Sequence, residues 1–376
     1  MVNVAIVGSR GAIGQVVAQT LSRTLPDITL RGGSRQREQG SSGGKNIEIR
    51  FVDVQQEDSL SAFCKDCQLV INCAGPSYLL SERVAMAADR TGAHYIDPFG
   101  DEFLAEKLIR AGLFQTRCAI VSAGAYPGMS GLLARHIIHH ELDSVHRLNF
   151  YSGGMESCTP SAALDWLLSS LEGFGQAGVG LHQGQTIRLP SPSGQVLIPG
   201  FPCLTQVQPF LNAELRRVAA QCLQATVCGY NLMTASEVSE AIHRWCGELT
   251  YDRSEARLRQ AAEELVMIAT LAAAGRPHWY HLMVEAAGEQ AGQPVFKRAL
   301  LTSRSSYLLS GHLCALCAEY LLRRPDSTGV QYADRLLDSR WVFDRLRHSD
   351  TVHHFSITPL NQLTDICASY AEPGEL

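Results

Sequence analysis

The chain has 376 residues, 45% of them hydrophobic and 18% charged, which excludes a disordered polymer and gives room for roughly two domains with cores of their own. A net charge of −5 leaves no global basic field, so a reader of nucleic-acid phosphates is excluded as a first reading. No apolar run reaches about 18 residues, and Met1-Val-Asn-Val-Ala-Ile-Val-Gly8 lacks the cationic and apolar regions of a secretion signal, so neither a membrane span nor export is expected.

The first 125 residues alternate strand and helix signals. Val2 to Val7 is a short Val/Ile-rich run of the kind buried on both faces of a parallel sheet. It ends in Gly8-Ser9-Arg10-Gly11-Ala12-Ile13-Gly14. Ile13, Val16, Val17, Leu21 and Leu25 then share one helical face, up to the break at Pro26-Asp27. Ile28 to Leu30 reads as a second strand, Ser41 to Gly44 as a turn and Ile47 to Val54 as a third strand. A helix starts at Asp58-Ser-Leu60, with Asp58 as its N-cap. Leu69 to Ala74 is a fourth strand closed by Gly75-Pro76, followed by a helix over 79–91 and a fifth strand from His94 to Asp97. A helix over 101–112 and a sixth strand from Cys118 to Ser122 complete the series. Strands alternating with helices of about 10–15 residues predict an α/β fold, a right-handed, doubly wound parallel sheet of Rossmann type.

Beyond Gly124 the pattern changes. Gly128 to His140 reads as a helix, Leu148 to Tyr151 as a strand, residues 152–160 as a loop and Ser161 to Gly173 as a helix. The Gly- and Pro-rich stretch 173–202 cannot be a long helix and suits hairpins or a mobile loop over a site. Residues 254–274 are helical, His281 to Ala287 and Pro294 to Thr302 are strands joined by Gly288 to Gly292, and Tyr307 to Arg323 is helical. This assigns residues 1–125 to a dinucleotide-binding domain and 126–330 to an inserted α+β domain for substrate and dimerisation. The charged tail 331–376 is expected to pack back on the first domain.

The glycine loop carries the chemistry. A dinucleotide pyrophosphate is held by backbone N–H groups at a helix N-terminus, where the helix dipole places about half a positive charge. In that reading Gly8 makes the turn out of the strand, Gly11 lets the backbone approach the phosphates and Gly14 lets the helix pack on the sheet. Ala12 and Ile13 open the helix. The alternative is an ordinary strand–turn–helix with incidental glycines; the position after the first strand and before an amphipathic helix argues against it. An acid at the end of the second strand would accept from the ribose 2′-OH of NAD. The chain instead reads Leu30-Arg31-Gly32-Gly33-Ser34-Arg35-Gln36-Arg37. Ser34 and Arg35, with Arg10 closing from the glycine loop, are therefore assigned to a 2′-phosphate and the cofactor to NADP(H), the alternative being a solvated surface. Asp53 is placed to accept from the adenine amino group.

Gly8-x-x-Gly11-x-x-Gly14, Val52-Asp53-Val54 with Asp58-Ser-Leu60, Leu69-Val70-Ile71-Asn72-Cys73-Ala74-Gly75-Pro76, His94-Tyr95-Ile96-Asp97 and Tyr126-Pro127-Gly128 follow one another in the chain. In that order they make it resemble the saccharopine dehydrogenase-like reductases, which include the saccharopine and carboxynorspermidine enzymes. The Asn72 to Pro76 and His94 to Asp97 segments are the more specific; Glu285 to Val295 and Tyr307 to Ala318 add a weaker echo. The first third matches well, the middle poorly and the last third loosely. The resemblance implies an N-terminal Rossmann domain, an inserted α/β substrate domain, a C-terminal return to the first domain and hydride transfer with nicotinamide, commonly at C=N. It also implies Val54, Ala74, Gly75 and Pro76 as cofactor-binding residues. After Pro76 the chain departs from the family, whose members often carry an aromatic residue and then a Tyr-Gly pair; here Ser77-Tyr78-Leu79-Leu80-Ser81 follows. That loop adjoins nicotinamide and substrate, so substrate identity does not carry over. Saccharopine would need several carboxylate anchors, and 151–202 offers Arg188 alone, which favours a less charged substrate.

In a doubly wound sheet the site lies beyond the carboxyl ends of the strands, where Ser77, Tyr78, Asp97 and Tyr126 fall. Tyr78, Asp97 and Tyr126 are the candidate catalytic residues, as proton donors or orienters. The alternatives are Asp97 as a cap for the helix near Asp101 and Tyr126 as a packing residue at the domain boundary. An imine protonated before binding would need none of the three as an acid. Glu156, Thr159 and Asp165 are weaker candidates on the substrate side. The expected activity is NADPH-dependent reduction of C=N in a small-molecule or carrier-protein-bound substrate. The resemblance extends this to natural-product reductases, including those of thiazoline rings in siderophores. The alternatives are reduction of C=C in an enoyl thioester and a non-catalytic NADP(H)-binding sensor. No nucleic-acid or membrane partner is expected; a homodimer is.

Twelve cysteines among apolar or helical residues read as reduced core positions of a cytoplasmic protein. Cys64-Lys-Asp-Cys67 and Cys314-Ala-Leu-Cys317 have knuckle spacing, but zinc needs four ligands and no second pair stands near either, so both read as helix-face core residues and no metal is expected. His136-Ile-Ile-His139-His140 and His278-Trp-Tyr-His281 lack the Glu of a His-Glu-x-x-His helix and read as surface or capping residues. Leu308, Leu309, Leu313, Leu316 and Tyr320 form an apolar helical stripe, read as core or a dimer contact.

Overall fold

The computed structural model describes residues 2–35 and 47–364; the turn expected at Ser41 to Gly44, and Gln36 and Arg37, lie outside the described residues. β1 (Val2–Val7) follows the Val/Ile run, and Val4 to Val7 are fully buried. α1 (Ala12–Thr24) turns Gly14, Val17 and Leu21 inward. β2 (Ile28–Ser34) runs four residues past Leu30, and β3 (Ile47–Phe51) stops three short of Val54, because the chain turns at Asp53, whose Oδ1 accepts from Gln55 N–H at 2.9 Å. α2 (Glu57–Cys64) has Gln56 rather than Asp58 at its N-cap position, with no capping bond from the side chain; Asp58 sits inside the first turn, where its charge still suits the helix dipole. β4 (Leu69–Asn72) comes next. The helix expected over 79–91 is two helices, α3 (Ser77–Leu80) and α4 (Arg83–Arg90), broken at Ser81 with φ +49°. β5 (His94–Ile96), α5 (Glu102–Arg110) and β6 (Cys118–Val121) complete the alternation.

α6 (Met129–His140) leads into β7 (Ser144–Met155), which takes in residues 152–155 that were expected as loop. Gly153 makes room there for a neighbour rather than marking a turn: a Cβ on it would lie 2.8 Å from Leu232 Cβ. After α7 (Pro160–Leu171), the Gly/Pro-rich stretch resolves into β8 (Gly175–Ala177), β9 (Val179–His182), β10 (Gln185–Arg188) and β11 (Val196–Leu197), with β9 and β10 paired as a hairpin. β12 (Leu204–Asn212), α8 (Ala213–Ala219), β13 (Thr226–Met233), α9 (Ser236–Leu249) and α10 (Glu255–Ala273) follow. β14 (Trp279–Gln290) and β15 (Gln293–Ser303) are longer than expected and meet at a tight turn over Ala291-Gly292.

α11 (Ser306–Arg323), β16 (Gly329–Tyr332), α12 (Ala333–Leu336) and α13 (Ser339–Arg347) precede β17 (Val352–Leu360). Every residue of α11 from Leu309 to Glu319 is buried, so this helix is covered on all sides rather than along one stripe. It lies on α1, where a Cβ on Gly311 would be 2.5 Å from Val16 Cβ. β16 pairs in parallel with β6, whereas β17 pairs with β15.

These contacts move the expected boundaries. One unit comprises Met1–Met129 and Ser306–Leu346, the other Ser130–Ser305 and Arg347–Leu376. Residues 306–330 thus belong with the first unit instead of the inserted one, and of the tail the described residues 347–364 join the second. The first unit holds a seven-stranded sheet in the order β16-β6-β5-β4-β1-β2-β3, every pairing parallel. Chain direction across it reverses between β1 and β4, the switch point at which the loops of a doubly wound sheet diverge. The second unit is built on a ten-stranded mixed sheet in which β7 and β13 are parallel and β7 and β14 antiparallel. No disulfide joins the described cysteines, and no described helix is long and apolar enough to cross a membrane.

Candidate functional site

The carboxyl end of β1 opens into Gly8 at φ +74°, a conformation that L side chains rarely adopt. A Cβ on Gly8 would lie 2.7 Å from Ala74 N and 2.8 Å from the Cys73 carbonyl, so the loops after β1 and β4 touch through this glycine. A Cβ on Gly14 would lie 2.3 Å from Gly8 O, so α1 begins directly against the turn. Gly11 is the exposed N-cap of α1, and no side chain caps the first turn. The N–H groups of Ala12, Ile13 and Gly14 have no acceptor within the helix, which is the arrangement that receives an anion. Two bonds pin the loop: Gln15 Nε2 donates to Arg10 O at 2.8 Å and Ser9 Oγ to Gly33 O at 3.2 Å.

The parallel register pairs Ile6 with Gly32, which sets Ser34 and Arg35 level with Gly8 and Ser9. Arg35 is exposed, and none of the described residues at the end of this strand is an acid. Arg31 is committed elsewhere: it is buried and donates to Phe63 O at 2.6 Å and Lys65 O at 2.7 Å, fastening the end of α2. Asp53 stands partly buried after β3, and Val54 packs against the core of the first unit.

Beyond β4 the cis Gly75-Pro76 peptide leads into α3. Tyr78 packs its ring on Phe99 (centroids 5.8 Å apart) and Phe103 (4.9 Å), and a small pocket opens between Ser77, Tyr78, Asp97 and Asp101. Asp97 is buried. Its Oδ2 accepts from Tyr95 Oη at 2.6 Å and Asn72 Nδ2 at 3.0 Å, and its Oδ1 from Phe99 N–H at 2.8 Å. The cap of α5 is Asp101, so capping is not what Asp97 does. Burial raises the Asp97 carboxyl above the ordinary range, against the lowering effect of its donors, and burial also raises the Tyr95 hydroxyl, which stays protonated and donates. Tyr126 lies in a tight turn after β6: Gly124 N–H donates to Pro127 O at 3.1 Å, and Ala125 N–H to Ser310 Oγ at 2.9 Å.

The first unit therefore brings together the glycine loop, Ser34 and Arg35, Asp53, Ala74 to Pro76, Tyr78, Asp97 and Tyr126. Glu156, Thr159 and Asp165 lie on the second. Thr159 has a structural task there: its Oγ1 accepts from Ala162 N–H at 3.2 Å and caps α7. Arg188 is exposed on β10. Three residues quoted above only as parts of motifs turn out to organise the strand ends. Asn72 and Tyr95 converge on Asp97. His94 Nδ1 accepts from Cys118 N–H at 2.9 Å, so its proton sits on Nε2, which faces Pro325 O at 3.1 Å. Their signal in the sequence is polarity inside apolar strands, since a buried polar group must be paired.

Among the described residues no group of three or more His, Cys, Asp and Glu is placed to hold a metal ion. Cys67 lies beyond the end of α2, so Cys64 and Cys67 do not share a helix face as expected. His136 is buried rather than superficial, its ring 5.0 Å from that of His140 and 6.2 Å from Phe355.

A family model described as the saccharopine dehydrogenase NADP binding domain matches residues 4–114. No curated protein matches the sequence significantly. Among solved structures, apo histidine-tagged saccharopine dehydrogenase (L-Glu forming) from Saccharomyces cerevisiae is similar with a TM-score of 0.67 and 15% identity, over 96% of this chain and 100% of that one. The DAP dehydrogenase of C. glutamicum, in complex with DAP, is similar with a TM-score of 0.50 and 15% identity, over 93% and 99%. Likeness at that identity shows the fold, and the family match falls on the residues that form the glycine cradle, the acid-free end of β2 and the Asn72 and His94 segments. Residues 4–114 are an NADP-binding domain of the saccharopine dehydrogenase type, and the chain has a saccharopine dehydrogenase-like α/β fold.

Proposed function

We propose that this protein is an NADPH-dependent reductase of a C=N bond in a small or carrier-bound substrate. The observation that carries the reading is the uncapped start of α1 set against Gly8, level with a β2 end that offers Ser34 and Arg35 and no acid. The N–H groups of Ala12, Ile13 and Gly14 would hold the pyrophosphate. Ser34 and Arg35, with Arg10, would hold the 2′-phosphate, and Asp53 the adenine amino group. Ala74, Gly75 and Pro76 would border the nicotinamide end. When bound, NADPH supplies a hydride.

The chain's own part is then to place the acceptor carbon, exclude water and supply a proton to nitrogen. The hydroxyls of Tyr78 and Tyr126 are the donors we assign to that last step. The fold supports the choice of bond. Saccharopine and DAP, for which the two similar dehydrogenases are named, are amines. Taking hydride from an amine carbon leaves C=N, and reduction is the reverse of that step. The exposed Arg188 is a poor anchor for a polycarboxylate, which supports a substrate less charged than saccharopine. Thiazoline-type rings of natural products such as siderophores, on a carrier thioester, are the class to test first.

The test is consumption of NADPH by purified protein with cyclic imines, thiazoline thioesters and enoyl thioesters offered in parallel. Turnover confined to the C=N substrates is the expected result. Turnover with enoyl thioesters alone, or NADPH binding with no turnover on any acceptor, would overturn it.

A further inference from the structure

We propose that Asp97 is a positioning residue that sets the turn after β4 against the glycine loop, and through it the crevice for the cofactor. The inference rests on the reading that NADPH lies along that turn.

Asp97 is 2% exposed and presents two oxygens to three donors: Tyr95 Oη, Asn72 Nδ2 and Phe99 N–H. The bond to Asn72 fixes which way its amide faces. With Nδ2 on the carboxylate, Asn72 Oδ1 is left to accept from Ala74 N–H at 3.2 Å. The flipped amide would aim oxygen at a carboxylate and NH2 at an N–H, so only one orientation satisfies both neighbours. Ala74 N is the nearest of the atoms that leave no space for a Cβ on Gly8. An unbroken series of contacts thus runs from Asp97 through Asn72 and Ala74 to the start of the glycine loop. The backbone of Asp97 extends it the other way: its N–H donates to Ile120 O and its carbonyl accepts from Ala123 N–H, each at 2.9 Å, just ahead of the turn that carries Tyr126.

The chemistry requires a carboxylate at this position. An asparagine has one acceptor oxygen, so either Phe99 N–H or the Tyr95 and Asn72 pair loses its partner. A donor left unmade in a buried site is costly. With both oxygens engaged, Asp97 acts through Asn72 and not on the substrate directly.

Three measurements on the full-length protein test this. Asp97→Asn should raise the Kd for NADPH about tenfold or more, the scale of one lost hydrogen bond to a charged group, and leave the ratio of NADPH to NADH affinity unchanged. The exchanged pair Asn72→Asp with Asp97→Asn restores the bond between the two positions and an acceptor for Ala74 N–H but still costs Tyr95 Oη its carboxylate, so it should recover part of that loss and the Ala74 protection. Hydrogen exchange without cofactor should show the Ala74 amide less protected in Asp97→Asn, with the β1 amides unchanged. An unchanged Kd together with unchanged Ala74 protection would overturn the proposal. So would loss of turnover at wild-type NADPH affinity, which would make Asp97 a direct acid. If Asp97→Asn does not fold, Asn72→Ala removes the acceptor of Ala74 N–H and no charge, and wild-type protection of Ala74 in that variant would overturn the proposal equally. If wild-type protein does not bind NADPH, the functional reading fails while the exchange measurement still decides whether Asp97 sets the turn.

Discussion

Arg35 follows the last residue of β2 and reaches into solvent, while Arg31, two turns of the pleat earlier, is buried and spent on two carbonyls of the α2 end. Only the first can serve a 2′-phosphate. Arg35→Ala should weaken NADPH by ~1–3 kcal/mol and leave NADH nearly unchanged; equal losses in paired titrations would count against the assignment. Gly14→Ala tests the cradle itself. The added methyl would sit 2.3 Å from Gly8 O, so the start of α1 must move. We expect a loss of about 1–3 kcal/mol in denaturant unfolding and a loss of NADPH affinity in titration. At this scale the glycines were legible because their spacing encodes a steric need of contiguous chain. Asn72 was not, because the partner that gives it meaning, Asp97, follows a different strand, β5, and only the sheet brings the two together.

The strands and helices were legible in kind more than in extent. β7 runs through Gly153 and Gly154, which read as loop because glycine usually breaks a strand; here Leu232 from β13 and Tyr280 from β14 need the space. The ends of elements depend on such neighbours, which a local pattern does not contain. Thr159 is the counterpart for helices: it looked like a substrate contact and is a cap. Thr159→Ala should cost about 1 kcal/mol in stability and leave the KM for the imine substrate unchanged; a raised KM would return Thr159 to the substrate side of the site. His94 binds β5 to β6 and to Pro325 in its neutral form. Burial, helped by the charge of Arg117, holds its pKa below the ordinary 6.5. As pH falls through 6.5 the unfolded chain takes up this proton first, so the contribution of His94 to stability is full above that pH and declines toward the lowered folded pKa. Unfolding free energy measured from about pH 7 to about pH 5 should therefore fall less steeply in His94→Gln than in wild type. An identical slope in the two would contradict this.

For the whole molecule, an inserted unit and a C-terminal return were expected, and what a linear reading misplaced is the point at which the chain returns. The alternation of strands and helices revealed the parallel sheet, but not that α11 already belongs to its unit ahead of the tail, because the contact between Gly311 and Val16 joins residues far apart in sequence. Residues 1–129 alone would leave α1 without α11 and β6 without β16, and should not unfold cooperatively. Ala125 N–H lies 2.9 Å from Ser310 Oγ, so the two segments of this unit meet at the cut. Residues 1–129 joined by a short linker to 306–346 should fold as one domain, checked by a single cooperative melt. The account as a whole stands on the cofactor. Calorimetric titration of the intact protein with NADPH and NADH in parallel is its most direct test. Tighter binding of NADPH, with the difference abolished in Arg35→Ala, is the predicted result; no binding of either nucleotide, or a preference for NADH, would contradict it.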